Sequence, residues 1–214
     1  MFSGIIEELG IVRSLEKTGS IYKLQVLAPM VAGSSQPGQS ICVNGVCLTV
    51  VKIEKGLLWF EIIQETIRCT NLGLLRRENR INLERALRVD GRYSGHFVTG
   101  HIDGIGTITK VLHRGQQMTM EVKAPDKILG YMVLKGPVAL DGVSLTISAL
   151  RENSFQVNLI PYTLKNTTLG LKKEAAVVNI ECDILAKYME KIHSLNKHPS
   201  ASISSSFLKE QGFI

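Results

Sequence analysis

The 214-residue sequence is poor in the residues that build metal or disulfide frameworks. Its four cysteines, Cys42, Cys47, Cys69 and Cys182, make no paired CxxC arrangement and no histidine cluster accompanies them, so no metal site is expected. No apolar run is long enough to cross a bilayer, and Met1-Phe2-Ser3-Gly4 lacks the basic start of a signal peptide. The expectation is a cytoplasmic protein with no membrane partner. Basic runs are missing too: the net charge is +6, but Lys and Arg are scattered, with short clusters only at Arg76-Arg77 and Lys172-Lys173. That pattern reads as a solvated basic surface rather than a nucleic-acid footprint. Hydrophobic residues make up 44% and charged residues 21%, the balance of an ordinary globular protein.

What the sequence does have is a second copy of itself. Val43-Asn44-Gly45-Val46-Cys47-Leu48-Thr49-Val50 returns as Leu140-Asp141-Gly142-Val143-Ser144-Leu145-Thr146-Ile147, an offset of 142 − 45 = 97. Thr66 to Gly73 returns as Thr163 to Gly170, and Ile81-Asn82-Leu83-Glu84 as Val178-Asn179-Ile180-Glu181, at the same offset. Ser3-Gly4-Ile5-Ile6-Glu7 returns as Thr99-Gly100-His101-Ile102-Asp103 at 96. This period is too long for a solenoid unit of roughly 20–50 residues and instead marks two similar domains, each just large enough for its own core. The expected boundaries are 1–97 and 98–183, followed by a helix over 184–195 and a flexible tail over 196–214.

Both halves read as strands. Gly10 to Val12, Tyr22 to Leu27, Ile41 to Ile53 and Leu57 to Ile63 are rich in Val, Ile, Leu and Thr and are separated by turn residues. Several short strands in so small a domain predict an all-β class with a small closed barrel or sandwich in each half. Asn44-Gly45 and Asp141-Gly142 are dipeptides that tolerate the positive φ angles of a type I′ hairpin turn. Such a turn sets Val43 opposite Val46, Cys42 opposite Cys47 and Ser40 opposite Thr49. Alternation then gives Ser40, Cys42, Cys47 and Thr49 one face, and Ile41, Val43, Val46, Leu48 and Val50 the other. The second copy gives Pro137, Ala139, Ser144 and Thr146 against Val138, Leu140, Val143, Leu145 and Ile147. One face is core. The other is small and hydrogen-bonding, either an ordinary solvent-facing side or a floor for a flat ligand, and its recurrence favours the ligand.

Thr66 and Thr163 are read as caps of short helices running to Leu72-Gly73 and Leu169-Gly170, whose starts offer free N–H groups beside the hairpins. Ile184, Leu185, Tyr188, Met189 and Ile192 form an apolar stripe at helical spacing, without a counterpart after the first domain. Such a stripe needs a partner, and oligomerisation through it is expected. The run from His198 to Ser206 reads as flexible tail.

In combination, Met1 to Glu7, the Asn44-to-Thr49 hairpin, the stretch Gly95-His96-Phe97-Val98-Thr99-Gly100-His101-Ile102-Asp103-Gly104 and the Asp141-to-Thr146 hairpin resemble the riboflavin synthase family, alpha-chain type, over roughly residues 1 to 195. Ser3 stands where the family usually has Thr and keeps the hydroxyl. The resemblance implies two six-stranded antiparallel Greek-key barrels in tandem, a C-terminal α-helix and a homotrimer held by that helix. It implies dismutation of two 6,7-dimethyl-8-ribityllumazine molecules by four-carbon transfer, with no cofactor. It also implies active sites between the N-terminal barrel of one subunit and the C-terminal barrel of its neighbour.

Carried over, the N-terminal site comprises Gly4, Ile5, Ile6, Ser40, Cys47, Leu48 and Thr49 with the segment Glu61, Ile62, Ile63, Gln64, Glu65 and Thr66. The C-terminal site comprises Gly100, His101, Ile102, Lys135, Ser144, Leu145 and Thr146 with Ile160, Pro161, Tyr162, Thr163, Leu164 and Lys165. Thr and Glu side chains or Lys135 are expected to hold ribityl hydroxyls. The copies differ at Cys47 against Ser144 and Ile5 against His101, and the reaction needs a nucleophile at one lumazine and a proton acceptor at the other. The expected assignment is His101 as the proton-transfer group, Ser144 and Thr146 beside it, Cys47 opposite, and Phe2 and Asp183 nearby. The main rival is a non-catalytic lumazine- or flavin-binding protein of the same fold. A flavin reductase would need a nicotinamide domain for which no chain is left.

Overall fold

The computed structural model describes residues 1–195 and 205–213. Twelve strands are arranged in two closed antiparallel barrels. The first holds β1 (Glu8–Thr18), β2 (Ile21–Leu27), β3 (Ser40–Val43), β4 (Val46–Glu54), β5 (Leu57–Ile63) and β6 (Arg80–Arg85), hydrogen-bonded in the order β1-β2-β5-β4-β3-β6. The second holds β7 (Gly104–Arg114), β8 (Gln117–Lys123), β9 (Pro137–Leu140), β10 (Val143–Leu150), β11 (Ser154–Leu159) and β12 (Val177–Cys182), and repeats that order as β7-β8-β11-β10-β9-β12. Closure leaves no free edge in either sheet. The short helices α1 (Pro29–Gly33), α2 (Gln64–Cys69), α3 (Asp126–Leu129) and α4 (Pro161–Asn166) cover turns, and α5 (Ile184–Leu195) follows the second barrel.

The hairpins form as their local chemistry dictates. Asn44 and Gly45 adopt φ 46° and 85°, and Asp141 and Gly142 φ 45° and 80°, the paired left-handed values of a type I′ turn. Ser40 faces Thr49, Cys42 faces Cys47, and in the copy Ala139 faces Ser144 and Pro137 faces Thr146. Val43, Leu48 and Val50 enter one barrel core with Leu24, Phe60 and Leu83; Val138, Leu145 and Ile147 enter the other with Met120, Phe155 and Ile180.

The opposite hairpin face differs from expectation. Cys42 and Ala139 are buried with Phe2 and Val98 in a small apolar cluster of their own, and Cys47 packs against it. The two hairpins lie back to back: a Cβ on Gly45 would stand 2.8 Å from the Gly142 nitrogen. The small side chains at the hairpin tips therefore serve close approach of the two barrels, while Thr49 and Thr146, nearer the strand ends, are exposed and Ser40, Cys47, Pro137 and Ser144 are half-buried. Ile6 packs onto the core of the second barrel and Ile102 onto that of the first, so the segments leading into the barrels are exchanged.

A buried polar seam fixes the pair. The Asn179 side chain donates to the Asn44 carbonyl and to Asn71 Oδ1, Asn82 donates to the Asp141 carbonyl, and Asn71 donates to Asp141 Oδ1. Asp141, fully buried, also pairs with Lys172 at 2.8 Å. Asn44 and Leu75 stand at those two places in the first copy.

Thr66 and Thr163 are not caps. The residues before α2 and α4 are Ile63 and Ile160, without a side-chain cap, and the threonines lie inside the helices. Thr70 and Thr167 do the capping, accepting from the Leu72 and Leu169 N–H groups of 3₁₀ turns that contain Gly73 and Gly170. Of the segment expected as tail, 196–204 and 214 lie outside the described residues, and Ser205–Glu210 forms a short helix, α6. No described helix is long and apolar enough to cross a membrane.

Candidate functional site

In each barrel the strand that precedes the short helix alternates about the wall, so the segment read as ligand-facing divides in two. Ile62 points into the core, whereas Glu61, Ile63, Gln64 and Glu65 are exposed and Thr66 is half-buried. In the second copy Ile160, Pro161, Tyr162 and Lys165 are exposed, with Thr163 and Leu164 half-buried. Leu48 and Leu145, expected in the sites, are core residues and have only their backbones to offer. Ile6 and Ile102 face the opposite barrel, which leaves Ile5, 47% exposed, and His101 as the outward members of their segments. Uncapped N–H groups at the start of α2 remain available, while Pro161 removes one from α4. Glu65 is engaged by Arg68 at 2.8 Å, which holds its carboxyl below the usual range.

Lys135 opens the turn into β9 at φ 66°, where the first copy has Gly38 at φ 89°. A left-handed lysine is strained where a glycine is at ease. Its ammonium-bearing side chain is exposed.

A cavity of about 970 Å³ opens beside the first barrel, lined by Met1, Ser3, Ile5, Glu7, Ser40 and Glu84 and, from the linker, by Ala86 to Arg92 and Ser94. Ile5 and Ser40 were expected at such a site; the linker was not, because it has no repeat partner to compare with.

The seam between the barrels brings a hydroxyl and an imidazole together. Ser144 Oγ is 2.7 Å from His96 Nδ1. The imidazole beside Ser144 is therefore His96 and not His101, whose side chain is exposed and one of whose contacts is a backbone N–H bond to Thr99 Oγ1. His96 is 7% exposed, and its Nε2 is buried without a hydrogen-bond partner among the described residues. Burial pushes its pKa below the ordinary histidine value, while the Asp183 carboxylate partly offsets this. A neutral imidazole accepts a proton, so the pair is equipped to draw the hydroxyl proton from Ser144. Asp183 also accepts from the Leu185 N–H at the start of α5. Phe2 is buried, bridging by backbone to Val98, and packs rather than reaches outward.

Ser144 and Cys47 are placed by each other's barrels. Ser144 N–H donates to the Gly4 carbonyl at 2.8 Å and Cys47 N–H to the Gly100 carbonyl at 2.9 Å. Gly4 and Gly100, at φ 80° and 83°, leave no room for a side chain: a Cβ on either would fall 2.5 Å from the Ser144 or Cys47 Cβ.

The lumazine-binding domain family matches residues 3–86 and 99–183, one copy on each barrel. Riboflavin synthases of Actinobacillus pleuropneumoniae and of Bacillus subtilis strain 168 are each 38% identical over 215 residues, covering 100% of both chains. The chain belongs to the riboflavin synthase family. Among solved structures, LumP complexed with 6,7-dimethyl-8-(1′-D-ribityl)lumazine matches at 25% identity and TM-score 0.77, covering 85% of this chain and 98% of that one. The expected pair of six-stranded tandem barrels is thus observed in the fold and in the family.

Proposed function

We propose that the chain is a riboflavin synthase, converting two molecules of 6,7-dimethyl-8-ribityllumazine into riboflavin and 5-amino-6-(ribitylamino)pyrimidinedione by transfer of a four-carbon unit. Both partners are the same molecule, so the atoms of two substrates are conserved in two products and no external carrier is needed. The observation that carries the reading is 38% identity to synthases over the full length of both chains, on a fold with two lumazine-binding domains.

Two similar barrels with dissimilar polar groups suit such a reaction. Holding two rings face to face makes the encounter effectively intramolecular, an advantage on the order of 7–11 kcal/mol. Thr49, Glu61 and Thr66 on one barrel, and Thr146, Thr163 and Lys135 on the other, are the accessible groups for ring edges and ribityl hydroxyls. The His96–Ser144 pair supports proton removal or hydroxyl addition at one ring, with Cys47 and His101 at the seam's other end. The linker residues place His96, which makes the linker part of the site.

A homotrimer belongs to the same reading. Leu185, Tyr188, Met189 and Ile192 of α5 are 54%, 63%, 66% and 54% exposed, an apolar stripe left uncovered among the described residues. Assembly through this stripe would bring the first barrel of one copy to the second barrel of the next. The action is expected in the cytoplasm.

The test is to incubate the pure protein with the lumazine and no additive and to watch for riboflavin. Lumazine binding without product would move the chain to the binding-protein reading, for which the LumP likeness is the supporting observation.

A further inference from the structure

Two carboxylates are buried in the seam without a role in the reaction as written. Glu84, 4% exposed, accepts at Oε1 from the Ser3 N–H and hydroxyl, both at 2.7 Å, and at Oε2 from the Gly4 N–H at 2.9 Å. Glu181, 1% exposed, repeats this: Oε1 accepts from the Thr99 N–H at 2.7 Å and hydroxyl at 2.6 Å, and Oε2 from the Gly100 N–H at 3.0 Å. Three donors converge on each group, and only an ionised carboxylate accepts from all three without presenting a proton of its own. Burial pushes both carboxyls up, so holding them charged opposes folding. The same buried carboxylate, met by the same three donors, ties the corresponding segment in both copies.

The segments so held are the ones that cross between barrels. Gly4, tied by Glu84 of the first barrel, receives the Ser144 N–H of the second; Gly100, tied by Glu181 of the second, receives the Cys47 N–H of the first. Contact is close enough that neither glycine tolerates a Cβ, so a shift of either segment is passed on to the residue above it. We propose that Glu84 and Glu181 are positioning residues for the transfer reaction, Glu84 setting Ser144 through Ser3–Gly4 and Glu181 setting Cys47 through Thr99–Gly100. Each barrel thereby fixes the reactive side chain of the other. This rests on the synthase reading, in which Ser144 and Cys47 face substrate.

The test is a set of double-mutant cycles on riboflavin formation by the full chain, read as kcat and KM. Glu84→Gln turns an amide NH₂ towards an N–H donor and is expected to lower kcat at least tenfold, with a smaller change in KM. On a Ser144→Ala background the same change should cost less than twofold, and on a Cys47→Ala background its full effect should persist. Glu181→Gln should show the mirror pattern. Equal losses on both backgrounds would mean a merely structural role and would overturn the assignment, as would wild-type kcat. Should the glutamine variants fail to fold, Ser3→Ala and Thr99→Ala remove one donor each and are expected to give the same pattern at several-fold scale; wild-type values there also overturn it. If the unmodified protein forms no riboflavin, the synthase reading fails and this proposal with it, whereas an active protein with additive losses sinks the positioning role alone.

Discussion

Ser144 and His96 meet across the seam at 2.7 Å, although one sits in the hairpin of the second barrel and the other in the linker that joins the barrels. The linker thus brings an imidazole onto the hairpin of the second barrel. Replacing His96 with Gln keeps a polar side chain of similar size but removes the basic nitrogen. Turnover is expected to fall about 100-fold, the lower end of general acid–base contributions, with lumazine affinity changed far less. Steady-state kinetics beside a fluorescence titration of the lumazine would check it, and unaltered turnover would remove His96 from the mechanism.

The pH dependence follows from the same residue. Burial lowers the His96 pKa and the Asp183 charge raises it in part. A base of this kind works when neutral, so kcat/KM should fall as pH drops through a value below the ordinary histidine range. Asp183→Asn takes away the charge that favours the protonated form. The His96 pKa then drops further and the acid limb moves to lower pH; a limb that stays put or moves up would contradict the assignment.

Lys135 gives a stability test with the opposite sign from its binding test. Lys135→Gly relieves a left-handed residue and should raise stability by about 1 kcal/mol, seen as a higher Tm. It should at the same time raise KM for the lumazine. A variant that is more stable yet binds unchanged would show that the ammonium is not used.

The seam offers a paired exchange. Lys172→Leu strands the fully buried Asp141 carboxylate and is expected to cost about 3 kcal/mol in denaturant unfolding. Adding Asp141→Asn, which reproduces the Asn44 and Leu75 of the first copy, should recover most of the loss. If the double variant is no better than the single, the two copies of the seam are not interchangeable.

Helix α5 tests assembly. Met189→Glu places a charge in the middle of the exposed stripe while leaving the Lys187–Asp103 pair intact. Light scattering should report one third of the wild-type mass. An unchanged mass would place the oligomer contact elsewhere.

How much of this was legible in the sequence depended on range. The hairpin register was readable because Asn-Gly and Asp-Gly determine their own turn and alternation does the rest. The helix caps were misread: Ile63 and Ile160, poor caps by propensity, precede the helices because the barrel ends there, and the threonines that cap lie further on at Thr70 and Thr167. Glu84 and Glu181 were visible as part of the repeat but taken only as its signature, since nothing local says that three donors will converge on them. His96 has no counterpart in the first copy and so leaves no signal in the repeat, whereas His101 stands out against Ile5; its approach to Ser144 is set by tertiary structure alone. Part of the small hairpin face, Cys42 and Ala139, is a contact between barrels, and contacts between distant segments leave no period in the sequence.

The exchange of Ile6 and Ile102 bears on how such a chain can be taken apart. A cut between the matched halves yields pieces that each carry a plug belonging to the other and lack one of their own. Chimaeras assembled from two relatives at that boundary would seat a foreign isoleucine against each core, so the fit of each plug is inherited from the other half.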